Sequence, residues 1–489
     1  MPAEVATAGR EGVIDRRHFM WNGVRTLGAA CISPYRDSTA AGREPGAAFE
    51  EGSPGAISPD HPNLLVVTTD DQAQWAAGCY GNPSIHTPNI DRLAAEGMRF
   101  TRAFSCPVCS PSRAMTMTGC YNHQMGIEDW ISPPETIGLP PHVPVLSEEL
   151  RRLGYETALF GKWHLGHSRP EFYPTARGFD LFVGMLGGGD EANYVDPSLL
   201  VGGQTTRFKG ALAGILADRA IDFLRTHRER PFALFYHPKN PHDPYGPVPA
   251  EDSQTYQGKE LTPPGVEGTP SEKVREVTAK YYASVTNADR NLGRILDELD
   301  RLKLSDRTIV VFTSDNGYNI GQHGLLHKGN GTLLATNVTR PNIFDTSAMV
   351  PFVIRYPGVT RPGSVCEEMV SSIDFFPTVL EFVGAKRRPG LLFEGISFAP
   401  LLRGETTPWR DELYLVYNQH HYLPGARMRM IRTHDWKLIR HREEAGINEL
   451  YDLKKDPGET VNLYGEAAAR SIQEQLERRL TLWEMQTGA

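Results

Sequence analysis

Residues 64–71 read LLVVTTDD, and the rest of the fold can be worked out from this stretch. The first six residues are apolar or β-branched and predict a buried strand, which ends directly at two acidic residues. The same arrangement recurs three times along the chain. The further strands are predicted at 157–160, 232–236 and 308–313, and polar residues follow each of them: Lys162 and His164, then His242, then Asp315 and Asn316.

Helical segments separate these strands. Thr87 offers an N-cap, Pro88 suits the first helical turn, and Gly97 is predicted to end that helix at C′. Further helices are predicted at 145–153 and 272–302. Strands that alternate with helices predict an α/β fold, with a large, mixed but mostly parallel sheet flanked by helices. Ligand sites in such sheets lie outside the carboxyl ends of the strands, so the polar residues after the four strands are expected to converge.

The pattern changes after about residue 405, where short strand candidates follow one another without long helices between them. These strands are predicted at 414–417, 436–440 and 449–453, followed by an amphipathic helix at 466–486. We therefore predict a main domain at 61–404 and a smaller C-terminal antiparallel α+β subdomain at 405–489.

Bulk properties exclude several classes of protein. A formal net charge of -8 gives no support for nucleic-acid binding, which usually needs a basic face. No apolar run reaches the roughly 20 residues that a membrane-spanning helix needs. Six cysteines in 489 residues are too few for a disulfide scaffold. The oligomeric state stays open.

The N-terminus carries paired arginines, Arg16 and Arg17, ahead of a weakly apolar stretch. This resembles a twin-arginine export signal, and residues 32–60, rich in Pro, Gly, Ser and Glu, follow as a flexible linker. Residues 1–60 therefore predict export to the periplasm or the medium. The alternative is a disordered basic arm on a cytoplasmic protein.

Residues 109–119 read CSPSRAMTMTG. This segment resembles the signature of the formylglycine-dependent sulfatases, of the alkaline phosphatase-like superfamily, in which Cys-x-Pro-Ser-Arg is followed after a short helical turn by Thr-Gly. Other family blocks match in the same order, over about residues 62 to 465. They are DD at 70–71, GKWH at 161–164, PH at 241–242, DNG at 315–317, HGL at 323–325 with Lys328, LYDL at 450–453, DPGE at 456–459 and NL at 462–463.

The resemblance implies that 61–404 is a catalytic domain and that Cys109 is oxidised to an aldehyde, formylglycine, by a formylglycine-generating enzyme during maturation. The hydrate of that aldehyde would be the nucleophile. An ordinary thiol attacking sulfate would leave a thiosulfate-like adduct, whereas the second hydroxyl of a geminal diol can expel sulfate. Arg113, one turn into the predicted helix, would stabilise the hydrate.

A metal site is predicted at the strand ends. Asp70, Asp71, Asp315 and Asn316 supply hard oxygen ligands, which suit calcium better than zinc or copper. Magnesium is the runner-up, because oxygen ligands alone do not decide the cavity size. The family pattern adds the group derived from Cys109 to the ligand set.

The remaining candidates are basic residues. Matched to the family blocks, Lys162 and Lys328 would bind sulfate oxygens as point charges. His164 could contact the nucleophile and His242 could protonate the leaving alcohol. His323, His421 and Arg427 are candidate substrate contacts, and equally well residues that pack the surface.

Two features depart from the family pattern. Cys120 follows the Thr-Gly where the family usually has a basic residue, which puts cysteine conversion in question. The stretch 329–348 is longer and more polar than in compact members, and we expect it to shape the substrate-facing rim together with residues 418–429.

The leading hypothesis is a sulfatase acting on a sulfated small molecule or oligosaccharide, most naturally a carbohydrate. A phosphonate monoester or phosphodiester hydrolase with the same nucleophile is the first alternative, since sulfate and phosphate esters share tetrahedral geometry. The second is a noncatalytic calcium-dependent carbohydrate-binding protein with an unconverted Cys109, for which Cys120 is the only support.

Overall fold

The computed structural model describes residues 61–385, 388–442 and 447–489. The predicted export signal and linker at 1–60 lie outside the described residues.

Strands and helices alternate through most of the described chain. The strands are β1 Asn63–Thr69, β2 Met98–Phe104, β3 Glu156–Lys162, β4 Leu181–Met185, β5 Ser198–Val201, β6 Gln204–Arg207, β7 Phe232–His237, β8 Thr308–Ser314, β9 Asn319–Ile320, β10 Leu325–His327, β11 Asn330–Leu333, β12 Thr339–Pro341, β13 Phe352–Arg355, β14 Ser364–Ser371, β15 Glu412–Gln419, β16 Ala426–Thr433, β17 Trp436–His441 and β18 Glu449–Asp452. The α-helices are α1 Pro88–Glu96, α2 Cys109–Thr118, α3 Leu146–Arg152, α4 Leu212–Thr226, α5 Ala250–Ser253, α6 Glu272–Arg301, α7 Asp345–Ala348, α8 Phe375–Phe382, α9 Ala399–Leu402 and α10 Arg470–Thr487.

Ten strands form the central sheet, in the order β14-β2-β13-β8-β1-β7-β3-β4-β5-β6. The five strands from β8 to β4 are parallel to one another, whereas β13 pairs antiparallel with both β8 and β2, and β5 pairs antiparallel with both β4 and β6. The prediction of a large, mostly parallel sheet flanked by helices is confirmed.

Strand β1 explains why both faces of this sheet are covered. Its residues are buried throughout, and they alternate between two hydrophobic cores. Leu64 and Val66 pack with residues of α2, α3 and α8, whereas Leu65 and Val67 pack with residues of α1, α4 and α6. A strand that is apolar on both faces belongs inside such a sandwich, because either face would otherwise meet water.

The C-terminal part is a four-stranded antiparallel sheet, β15-β16-β17-β18, with α10 packed against it. The predicted antiparallel subdomain is therefore present, but strand β16 was missed. Residues 418–429, which we expect to shape the rim, comprise the end of β15, a turn and the start of β16. The stretch 329–348 is also more ordered than expected, since it contributes β11, β12 and α7, and the two strands join a second small antiparallel sheet.

A buried group of charges joins this subdomain to the main domain; we call it the junction cluster, and it consists of Asp345, Glu459, Arg432 and Lys437. Asp345 begins α7, and its carboxylate lies 3.0 Å from Arg432 Nη2 and 2.9 Å from Lys437 Nζ. Lys437 Nζ also lies 2.6 Å from Glu459 Oε1. Two acids and two bases thus compensate each other where water is excluded.

The ends of α1 differ from their prediction. Thr87 stands at the N-cap but makes no side-chain cap. The carboxylate of Asp289, on α6, instead accepts hydrogen bonds from the amides of Asn89 and Ile90 at 2.7–3.2 Å. Gly97 has an extended backbone, with φ of −130°, rather than a left-handed one. Within the described residues, no helix is both long and apolar enough to cross a membrane.

Candidate active site

The carboxyl ends of neighbouring parallel strands bring the predicted polar residues together. Thr69 of β1 is in register with Ser314 of β8, so the acidic residues that follow the two strands adjoin. The amide of Asp71 donates to Asp315 Oδ1 at 3.0 Å. On the other side of β1, the amide of Asp70 donates to the carbonyl of Asn240 at 3.1 Å, which places the turn before His242 beside the same edge. The expected convergence is confirmed.

Cys109 is the first residue of α2 and points into this group of charges. Its Sγ accepts a hydrogen bond from Lys328 Nζ at 2.8 Å and lies 3.8 Å from Asp70 Oδ1 and 4.0 Å from Asp71 Oδ1. Burial raises the pKa of the Cys109 thiol to about 12. An unmodified Cys109 in these surroundings is therefore a neutral thiol near neutral pH.

Arg113 and Lys162 complete the buried charges. One turn into α2, the Arg113 guanidinium donates through Nε to Asp315 Oδ2 at 3.0 Å and through Nη1 to the carbonyl of Lys162 at 3.0 Å. Lys162 ends β3 and binds both carboxylate oxygens of Asp70, at 2.8 and 2.9 Å. We call Cys109, Asp70, Asp71, Asp315, Arg113, Lys162 and Lys328 the Cys109 cluster.

Helix α2 is held in place by the signature serine. The hydroxyl of Ser112 donates to the carbonyl of Asp315 and also contacts the hydroxyl of Ser105. The start of α2 is thereby tied to the end of β8, and the nucleophile candidate is tied to the acidic residues.

The buried charges shift one another's pKa values. Burial alone would raise the pKa of Asp70, but the Lys162 ammonium and the other nearby positive charges together outweigh it and hold that pKa at about 2. Asp71 behaves likewise, since Lys328 lowers its pKa against the effect of burial. The carboxylates in turn keep both lysines protonated, with pKa values above their usual range although burial opposes this. All these groups are therefore ionised near neutral pH.

The donor set fits a hard divalent cation. The ligand atoms of Asp70, Asp71 and Cys109 lie within 4.8 Å of one another, and all three residues are buried. The side-chain Oδ1 of Asn316 is also buried and has no hydrogen-bond partner among the described residues. An amide oxygen left without a partner next to carboxylates is costly unless something binds it. Oxygen donors of this kind suit calcium or magnesium.

Two histidines flank the cluster. His164 is buried at a left-handed φ of 60°, and its Nε2 donates to the carbonyl of Ile131 at 3.1 Å, which leaves Nδ1 as a lone pair. Burial and the nearby Lys162 lower the pKa of His164 well below its usual value. The His242 side chain is 16% exposed, with Nδ1 2.8 Å from the carbonyl of Asp243 and Nε2 3.8 Å from Asp71 Oδ2. His242 thus stands between the cluster and solvent.

None of the three weaker candidates belongs to the Cys109 cluster. His323 stacks on Phe344 with ring centroids 3.7 Å apart. His323 and Arg427 both line a cavity of about 860 Å³, and no member of the Cys109 cluster is among its described lining residues. His421 instead packs against Trp130, with ring centroids 4.6 Å apart.

Sequence reasoning missed His237, the last residue of β7. It is buried beneath Arg113, with Nδ1 3.4 Å from Arg113 Nη1 and 3.2 Å from the carbonyl of Lys162. Burial, reinforced by Arg113, lowers its pKa to about 3. The sequence feature that could have identified His237 is a polar residue directly after a run of apolar ones, but the strand is predicted to end at residue 236.

Cys120 lies just past the opposite end of α2 from Cys109. Its Sγ approaches the carbonyls of Thr118 at 3.7 Å and Leu392 at 3.6 Å. Cys120, the residue that departs from the family pattern, therefore makes its contacts at the C-terminal end of α2, about 15 Å from Cys109.

Comparison with known proteins yields matches along nearly the whole described chain. The sulfatase family model matches residues 62–385, and the model for the C-terminal part of N-sulphoglucosamine sulphohydrolase matches residues 339–486. The chain is 29% identical to an N-acetylglucosamine-6-O-sulfatase of Bacteroides thetaiotaomicron, covering 86% of this chain and 85% of that one. It is 30% identical to an ulvan-active sulfatase of Formosa agariphila, covering 86% and 81%.

Among solved structures, one is a complex with its substrate D-glucosamine-2-N,6-O-disulfate. It superposes with a TM-score of 0.76 and is 26% identical, covering 88% of this chain and 98% of that one.

Proposed function

This chain belongs to the sulfatase family and is a sulfuric ester hydrolase, and from that premise we propose that it cleaves a sulfated carbohydrate with a formylglycine made from Cys109 beside a bound calcium ion. The observation that carries the proposal is the position of Cys109. Its Sγ lies 2.8 Å from Lys328 Nζ and within 4.8 Å of ligand atoms of Asp70 and Asp71, at the start of a helix.

The cations of the Cys109 cluster are arranged to bind a dianion. Lys162 and Lys328 are buried and protonated, and each contacts a carboxylate that could bind calcium instead. Their ammonium groups would then be available for sulfate oxygens. The first turn of α2 adds backbone amides that favour negative charge.

Calcium would be held by Asp70, Asp71, Asp315 and Asn316. When bound, it would polarise a sulfate oxygen and offset repulsion between the ester and the carboxylates. Arg113, fixed by two contacts to Asp315, holds its guanidinium beside Cys109 and counters negative charge on the nucleophile.

Oxidised to an aldehyde and hydrated, the side chain at 109 would supply one hydroxyl to attack sulfur and a second to expel sulfate. His164 presents its Nδ1 lone pair, because its Nε2 proton is committed to the carbonyl of Ile131. This nitrogen can accept a proton when sulfate is released. His242 keeps a proton on Nδ1 for the carbonyl of Asp243, so its Nε2, near Asp71, is the atom that would carry a proton to the leaving alcohol.

The proposed carbohydrate specificity is supported by two of the relatives, the N-acetylglucosamine-6-O-sulfatase and the ulvan-active sulfatase. The alternative within the superfamily is a phosphonate monoester or phosphodiester hydrolase. Turnover of 4-nitrophenyl sulfate against a 4-nitrophenyl phosphodiester separates the two. We expect a higher kcat/KM for the sulfate, and the opposite ranking would contradict the proposal.

The modification has its own test. Protein coexpressed with a formylglycine-generating enzyme is digested, and the peptide that contains residue 109 is analysed by mass spectrometry. We expect an aldehyde that reacts with hydrazide reagents in active preparations. An intact thiol at 109 in fully active protein would exclude this nucleophile, and an intact thiol in inactive protein would favour the noncatalytic alternative.

The metal is tested by binding as well as activity. Calorimetric titration of chelator-treated protein should show one calcium site, with magnesium binding more weakly. Asp315→Ala should weaken calcium binding, because it removes a charged oxygen donor and loosens Arg113. Equal calcium affinity in both proteins would contradict the ligand assignment.

We also propose export to the periplasm or the medium, supported by the paired arginines. Fractionation of bacteria that express the full chain should find the wild type outside the cytoplasm. A variant with Lys at positions 16 and 17 should be retained inside. Equal distribution of both proteins would contradict the signal.

A further inference from the structure

The hairpin turn between β15 and β16 carries His421 and Tyr422. Tyr422 is 55% exposed, and in the described part of the chain no other aromatic side chain is among the exposed large hydrophobic residues. Leu423 beside it is 43% exposed. An aromatic ring and an aliphatic side chain exposed together suggest a surface that a ligand covers.

This turn lies against the segment that borders the Cys109 cluster. The amide of Ile131 donates to Ser110 Oγ at 3.1 Å, and Ser110 is the residue after Cys109. The carbonyl of Ile131 accepts the Nε2 proton of His164 at 3.1 Å. Trp130 therefore directly precedes a residue whose backbone contacts both the neighbour of Cys109 and a candidate proton acceptor.

Three aromatic rings extend outward from that point. His421 donates through Nε2 to the carbonyl of Trp130 at 2.9 Å, and the two ring centroids are 4.6 Å apart. The ring of Tyr422 lies 6.4 Å from that of Trp130, at an interplanar angle of only 24°. Trp130 belongs to the main domain and Tyr422 to the C-terminal sheet, so the row of rings bridges the two.

The backbone of the turn is held firmly. The buried amide oxygen Oε1 of Gln419 accepts hydrogen bonds from the amides of Tyr422 at 3.0 Å and Leu423 at 2.5 Å. The amide of His420 donates to Asp129 Oδ2 at 2.8 Å. A binding surface on a fixed backbone loses little conformational entropy when a ligand arrives.

From these contacts we propose that Trp130, His421 and Tyr422 form an aromatic platform for a pyranose ring, namely the sugar bonded to the sulfated one. Pyranoses have an apolar C–H face that packs on aromatic rings and hydroxyls that need polar partners. Glu135 Oε2 lies 3.4 Å from His421 Nε2, so a carboxylate that can accept a hydroxyl proton stands beside this ring. Because Tyr422 is the outermost ring, it holds a neighbouring sugar rather than the ester itself.

This inference rests on the proposed carbohydrate sulfatase function, and the test separates the two. Wild-type protein is first assayed on 4-nitrophenyl sulfate. It is then assayed on a panel of sulfated amino-sugar monosaccharides and on disaccharides that each end in one of these sulfated sugars. A protein that cleaves only the aryl sulfate would refute the carbohydrate assignment and the platform with it. A protein that cleaves neither sugar nor aryl sulfate would refute the proposed function and, with it, the platform.

Tyr422→Ala is then compared with the wild type on a matched monosaccharide and disaccharide that the wild type cleaves. We expect KM for the disaccharide to rise about tenfold, the effect of losing one stacked ring, with kcat and the monosaccharide constants unchanged. Tyr422→Phe keeps the ring and should restore disaccharide binding. Val461→Ala, at a side chain that is 56% exposed in the same subdomain, is the control and should change neither.

Two results would overturn the platform. One is an unchanged KM ratio between disaccharide and monosaccharide in Tyr422→Ala. The other is an equal loss on both substrates with a lowered melting temperature, which would mean that the side chain only supports the fold. If the wild type cleaves only monosaccharides, the platform is likewise refuted.

Discussion

The Cys109 cluster and the junction cluster use the same residue types in equally buried places, yet they do different things. In the junction cluster, Asp345 and Glu459 are matched by Arg432 and Lys437, and every charged side chain contacts one of opposite sign. Only Glu459 of the junction cluster lies in a family block, the DPGE at 456–459. Both clusters are buried and charged, so neither burial nor charge alone distinguishes them.

The difference lies in what remains unmatched. The Cys109 cluster includes a nucleophile candidate and adjoins the partly exposed His242. It also borders the Asn316 amide oxygen and the His164 Nδ1 nitrogen, and neither atom has a hydrogen-bond partner among the described residues. Closed charge networks stabilise the arrangement of domains, whereas a network with unmatched acceptors is prepared for a ligand. The comparison predicts that substitutions in one cluster alter chemistry and those in the other alter stability.

Cys109→Ala should have the largest effect. Removing the nucleophile should lower kcat for 4-nitrophenyl sulfate by roughly 10⁴-fold or more, while the free energy of unfolding changes by about 1 kcal/mol. Steady-state kinetics and urea unfolding measure the two quantities. Cys106→Ala is the control, because Cys106 is equally buried but bonds the carbonyl of Val416. Activity retained by Cys109→Ala would exclude this site as the source of the nucleophile.

Lys437→Met should come next, with the opposite signature. It leaves Asp345 and Glu459 buried without their shared cation, so the free energy of unfolding should fall by about 3–5 kcal/mol. The specific activity of the folded fraction should persist. Lys455→Met is the control, because it removes the ion pair with Asp452 of a lysine whose side chain is 84% exposed. It should lower the free energy of unfolding by less than about 1 kcal/mol. Equal free energies of unfolding in Lys437→Met and Lys455→Met would contradict the structural role of the junction cluster.

The smallest effect is a pH dependence from His237. The pKa of His237 is about 3 in the folded protein against an ordinary value of 6.5. Between pH 6.5 and pH 3, the unfolded chain therefore binds a proton on this histidine that the folded protein does not bind. Its contribution to stability is complete above pH 6.5 and is lost towards pH 3, by about 1.4 kcal/mol per pH unit. Urea unfolding at pH 7 and 5 should show a smaller loss for His237→Gln than for wild type. Parallel losses would contradict this prediction.

Prediction from the sequence worked best where the signal was local. The strand before Asp70 and Asp71 was recognised because a run of apolar residues ends at charged ones, and the parallel register of β1 and β8 then brought Asp315 alongside. It failed at β16, whose residues ARMRMIRT alternate long basic and sulfur-containing side chains. Arg432 in that strand can be buried because its guanidinium pairs with the Asp345 carboxylate of the junction cluster.

Helix ends show the same limit. Thr87 was the obvious local cap for α1, but a carboxylate 200 residues away, on Asp289, binds the helix amides instead. Gly97 is predicted to end the helix at C′, yet its backbone is extended. A Cβ there would stand 2.3 Å from the carbonyl oxygen of Ile354 in β13, so the glycine serves a close approach between segments.

The sequence by itself determined the alternation of strands and helices and the polar residues that follow four of the parallel strands, because apolar periodicity and family blocks are properties of short segments. The tertiary structure alone decided which buried charges face a nucleophile and which close a domain junction. It also brought His237 under Arg113 and Tyr422 beside Trp130. Those contacts depend on strand register and on packing between distant segments, and neither leaves a trace in local composition.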